Sequence, residues 1–155
     1  MSNKAKTIKA GELLKLCWLI ANEEAKHLGA SEILPIHFLL AVMKIIDPKF
    51  PEQIDKSNMS SADWAAMCKA AQGIRHYIDV MPEKVAGKRR RLRANLAEKQ
   101  VRPPITQAGM LHRSEALKKA FHDACLFAEG DTLTLRILVQ SLFELELVSL
   151  DDIKG

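Results

Sequence analysis

Apolar residues recur at three- and four-residue steps along most of this chain, which predicts helices that each bury one face. The first runs from about Lys9 to Leu28, where Leu13, Leu16, Cys17, Ile20, Glu24 and Leu28 share a stripe that is apolar except for Glu24. Thr7 suits its N-cap, and Gly29 suits the position after its end, where a left-handed backbone costs glycine nothing. A second helix starts at Pro35, reads IHFLLAVMKII and stops at Asp47–Pro48 and Pro51. Being apolar nearly all round, it is expected at the centre of the fold.

Ser60 and Ser61 introduce a third helix, from about Ala62 to Met81, with Trp64, Met67, Cys68, Ala71, Ile74, Ile78 and Met81 on one face. Ser60 and Asp63 have the spacing of a weak capping box. Next comes the basic stretch RRRLRANLAEKQ, compatible either with a helix, through Leu92 and Leu96, or with a loosely ordered linker. A further helix is expected from about Met110 to Ala128, with Leu117, Ala120, Phe121, Ala124 and Phe127 inward. Another is expected from Leu135 to about Leu145, and a last short turn near the end. No period-two strand pattern occurs, so the fold class expected is all-α.

Sliding residues 10–43 onto 109–142, a shift of 99 without a gap, pairs like with like. Ala21 meets Ala120, Glu24 meets Asp123, Ala25 meets Ala124, Leu34 meets Leu133, Leu39 meets Leu138 and Met43 meets Leu142. Such self-similarity predicts two copies of a helix–turn–helix unit that cover each other's apolar sides, related by a pseudo-twofold axis. The expected organisation is one domain over 1–155. It comprises repeat 1 at about 8–46, a middle helix at about 61–81, a basic linker at about 83–104 and repeat 2 at about 106–146.

The 155 residues are 48% hydrophobic, enough for a real core, and only 5% aromatic, which suits helices. Charge is unevenly placed. Residues 84–102 hold eight cations against Glu98, a net of +7, so the remainder carries −3 of the total of +4. No apolar run is long enough to span a bilayer, and the opening MSNKAKTIKAGE has no uncharged apolar stretch of the kind a signal peptide needs. Cys17, Cys68 and Cys125 are odd in number and far apart, and are expected as reduced thiols in a cytoplasmic protein.

The chain resembles the Clp amino-terminal domain, the module that precedes the ATPase rings of ClpA-, ClpB- and ClpC-type unfoldases. EEAKHLG, ASEILP and IHFLLAVM carry the likeness, with His37, Leu39, Leu40 and Ala41 in the family's places. DACLFAEG and DTLTLRILVQSL form a more diverged second copy, and the basic segment makes the spacing between copies longer than the family pattern. The resemblance implies a non-catalytic module that recruits substrates, adaptors or partner helices to an unfoldase. Some relatives bind phosphorylated arginine through a Thr-Glu pair before the motif histidine. Here Pro35–Ile36 and Thr134–Leu135 stand there without a carboxylate, which speaks against that ligand. With no GxxxxGK[ST] P-loop, the chain is not expected to hydrolyse ATP.

Partner contacts are expected at grooves flanked by Ile33, Leu34 and Ile36 in one copy and by Leu133 and Leu135 in the other, in a helix-in-groove mode. Lys88, Arg89, Arg90, Arg91 and Arg93 form a basic surface. It suits a solvated face, docking on an acidic protein or, as the rival function, salt-sensitive binding of nucleic acid. No Phe, Tyr or Trp lies between Tyr77 and Phe121 to stack on bases. His37 is expected to be structural, its imidazole bonding a carbonyl of the preceding loop. No catalytic residues, no cofactor and no metal are expected: the five histidines make no zinc spacing, and His122 with Cys125 supplies half a site at most.

Overall fold

Six helices carry the fold among the residues, 8–53 and 59–152, described by the computed structural model. They are α1 (Glu12–His27), α2 (Pro35–Ile45), α3 (Ser61–Ile78), α4 (Val85–Glu98), α5 (Glu115–Cys125) and α6 (Leu135–Glu144). The protein is all-α. Among the described residues the strands are the two-residue β1 (Lys9–Ala10) and β2 (Thr132–Leu133), too short to leave an alternating pattern in sequence.

Helix α2 is central, as its all-round apolarity predicts: Phe38, Leu39, Leu40, Ala41, Val42 and Met43 are fully buried. Helix α1 lays Leu14, Cys17, Ala21 and Ala25 along it, α5 and α6 form a second pair, and α4 covers another side of α2. The basic segment is therefore helical across its middle. Val85 and Leu92 are buried and Leu96 partly so, and this thin stripe decides between the helix and the linker. Helix α3 is anchored at its carboxyl end, where Ile74 and Ile78 are buried and the Arg75 Nη1 donates to the Ile46 carbonyl at 3.1 Å. Its earlier stripe (Trp64, Met67, Cys68, Ala71) is only half-covered, and Met81, beyond the helix end, is exposed.

Several boundaries follow from caps. Leu28 ends α1, and Gly29 follows in the left-handed region at φ 70°. A Cβ there would meet the Arg102 carbonyl oxygen at 2.4 Å, so glycine is required twice over. Ser60 accepts the Asp63 N–H at 3.1 Å, Ser114 the Leu117 N–H at 3.2 Å and Thr134 the Ile137 N–H at 3.3 Å. Two expectations are corrected. Helix α1 begins at Glu12 after Gly11, because residues 9–10 pair as a strand; Thr7 lies outside the described residues. Helix α5 begins at Glu115 and ends at Cys125, well inside 110–128. Phe127 thus sits past the helix end, out of phase with the inward stripe, and is 63% exposed.

The backbone pairing between the two hairpins is reciprocal. Residues before α1 pair in parallel with residues before α6: Lys9 N–H donates to the Asp131 carbonyl at 2.7 Å and Gly11 N–H to the Leu133 carbonyl at 2.9 Å. Residues before α5 pair in parallel with the residue before the α2 cap: Ile33 N–H donates to the His112 carbonyl and Ser114 N–H to the Ile33 carbonyl, both at 2.9 Å. Gly11 and Ser114, the N-caps of α1 and α5, thus make the same bond to the opposite hairpin. These caps stand 103 residues apart, while Leu34 and Thr134, capping α2 and α6, stand 100 apart. A gapless shift of 99 does not superpose the helix starts.

Between α4 and α5 the chain runs as a strap along α1, fixed by polar side chains of that helix. Asn22, buried, donates through Nδ2 to the Gly109 carbonyl at 3.2 Å and accepts the Leu111 N–H at 2.8 Å. The Lys26 ammonium donates to the Gln107 carbonyl at 2.7 Å, and the Lys26 carbonyl accepts the Ile105 N–H at 2.8 Å. Arg113 leaves the strap to lie over both Trp18 and Phe121, at 4.8 and 4.6 Å from their ring centroids.

Candidate functional site

Glu24 breaks the apolar stripe of α1, and its surroundings explain how a carboxylate survives at 4% exposure. Packing α4 through Val85, Leu92 and Leu96 turns Arg89 and Arg93, one helical turn apart, towards α1. Arg89 Nη2 donates to Glu24 Oε1 at 3.1 Å and Arg93 Nε to Oε2 at 3.0 Å, with Arg93 Nη2 also on Oε1. Two guanidiniums share one carboxylate, so the trio keeps one positive charge.

Beside the trio lies an open cleft of about 430 Å³ between α1 and α4, closed at one end by α2. Leu19 and Ile20 give it an apolar side, with Leu19 55% exposed. Glu23 and His27 continue the α1 wall, Arg93 faces them from α4, and Lys44 enters from the last turn of α2. The Lys44 ammonium pairs with no described residue. A crevice under α3, lined by Leu13, Phe50, Trp64 and Met67 among others, has room for about 10 Å³, so it is filled by its own side chains.

The residues singled out from sequence are dispersed. Ile33, Leu133 and Leu135 are buried at 0%, 3% and 1% and belong to the core, because the stretches before α2 and α6 are held inside by the reciprocal pairing. Leu34 is 40% exposed and Ile36 half-buried, so only these two of the expected groove residues reach a surface. In the basic set, Arg89 and Arg93 are committed to Glu24, Arg90 and Arg91 are exposed, and Lys88 is half-buried.

His37 is structural, but the sense of its bond is the reverse of that expected. Its Nδ1 accepts the Leu34 N–H at 2.9 Å, tying down the first turn of α2. Burial holds its pKa down to about 4, with the Glu24 carboxylate pulling weakly the other way. Burial drives the Cys17 thiol upward, which makes it inert. Among the described residues no group of three His, Cys, Asp or Glu side chains could hold a metal, and no helix is long and apolar enough to cross a membrane.

Sequence reading flagged Glu24 as the odd member of its stripe and flagged the arginines, yet missed the cleft, Lys44 and the buried Asn22 and Lys26. The signal for the last two was polarity next to a core stripe, which a solvated helix face shows equally. Compared with protein-family models, curated proteins and solved structures, the chain matches none.

Proposed function

We propose that this protein is a non-catalytic recognition module that takes a protein or peptide segment in the α1–α4 cleft. The carrying observation is the cleft itself: an apolar side at Leu19 and Ile20 bordered by charged groups that neighbouring helices hold in place. Such a combination suits a peptide laid between helices, with apolar contact for affinity and fixed charges for orientation. The reading agrees with the resemblance to Clp amino-terminal domains, whose role is recruitment of substrates, adaptors or partner helices to an unfoldase. The reciprocal pairing supports the same view, since two related helix pairs exchanging equivalent backbone bonds is what a duplicated unit would make. Binding of nucleic acid is the weaker reading, because two of the five cations it would use are engaged by Glu24.

The test is to select binders from a random-peptide display library on the full chain and to map them by NMR. Resonances of Leu19, Ile20, His27 and Lys44 are expected to shift. Leu19→Asp, on an exposed site, is expected to abolish binding without altering the melting temperature. Shifts confined to other surfaces, or binding indifferent to Leu19→Asp, would remove the cleft from the function.

A further inference from the structure

Resting on the cleft being a peptide site, we infer that its occupant is an acidic segment: an apolar side chain seated on Leu19 and Ile20 with a carboxylate next to it, directed at Lys44. Lys44 lines the cleft at the end of α2 with its ammonium unpaired among the described residues. The opposite wall presents Arg93, and behind it stands Arg89; among the described residues the two guanidiniums share the single carboxylate of Glu24. Helical phase places Arg90 next outward from Arg93 on that flank of α4, and Arg90 is exposed. Against these stands Glu23, exposed at the rim and turned to the Asn22 amide at 3.5 Å. The balance leaves a half-buried cation beside an apolar surface, which a carboxylate-bearing peptide would satisfy and a lysine-rich one would not.

Arg89 and Arg93 are fixed on one buried partner instead of being free to follow a phosphate backbone from residue to residue, and no Phe, Tyr or Trp lines the cleft for a run of bases to stack on. A peptide therefore fits better than a nucleic acid.

The experiment takes the cleft-binding peptides selected above and measures them in three versions: with their Asp and Glu kept, changed to Asn and Gln, or changed to Lys. Fluorescence anisotropy follows their binding to the wild-type chain and to Lys44→Glu. The acidic versions are expected to bind about tenfold tighter than the amide versions, and the difference should shrink as salt is raised. Lys44→Glu is expected to reverse the order in favour of the Lys versions. Equal affinity for all three, or an order unchanged by Lys44→Glu, would overturn the acidic occupant while leaving the cleft a peptide site. Failure to select any peptide sensitive to Leu19→Asp would overturn the site itself. A single-stranded oligonucleotide whose binding depended on both Leu19 and Lys44 would replace the peptide by nucleic acid.

Discussion

Two side chains of α1 and α2 show how single residues set the conditions under which this fold is stable. His37 must be neutral to accept the Leu34 N–H, and its folded pKa of about 4 lies below the ordinary 6.5. As pH falls below about 6.5, the unfolded chain takes up the proton first, so stability declines until the folded form also protonates near pH 4. The accumulated loss is about 3 kcal/mol. Urea midpoints followed from neutrality into that range should fall more steeply for the wild type than for His37→Asn, which has nothing to titrate there. Parallel slopes would mean that His37 plays no part. Glu24 acts differently: Glu24→Gln leaves Arg89 and Arg93 facing each other without a counter-charge. With Arg93 40% exposed, water offsets part of the penalty. A loss of about 2 kcal/mol in a denaturant titration is expected, and none would mean that both guanidiniums are solvated without Glu24.

At the scale of elements, two glycines make opposite predictions. Gly29→Ala places a methyl group on the Arg102 carbonyl in a left-handed backbone, and backbone cannot step aside. It should destabilise by about 2 kcal/mol or more. Gly73 lies inside α3 with nothing within 4 Å of an added Cβ, so Gly73→Ala should stabilise by about 1 kcal/mol. Thermal melts of the pair check both signs. Elements were legible where local chemistry sufficed: α2 from its unbroken apolarity and Pro35, the end of α1 from Gly29, and α6 from Leu135 onward. They were illegible where distant backbone intervened. Residues 110–114 have the composition of a helix start but are drawn out to meet Ile33, and Ala10 is removed from α1 by Leu133. The candidate site divides similarly. Glu24 and its arginines stood out by type, whereas the cleft depends on how α4 lies across α1 and α2, which no single stretch encodes.

At the scale of the molecule, the hairpins are bound by backbone as well as by side chains. Lys9, Gly11, Ile33 and Ser114 lie outside the helices, yet each donates its N–H across the molecule. Their amides should exchange with deuterium as slowly as those of α2, and exchange at the rate of surface loops would show that the pairing is not maintained in solution. The same crossed bonds bear on synthesis. A ribosome releases α1 and α2 long before residues 112–114 and 131–133 exist, so Ile33 and Gly11 emerge with nothing to bond and the oily flank of α2 uncovered. The first hairpin must stay incomplete until nearly the whole described chain has been made, and over that interval its apolar flank is open to unintended contacts.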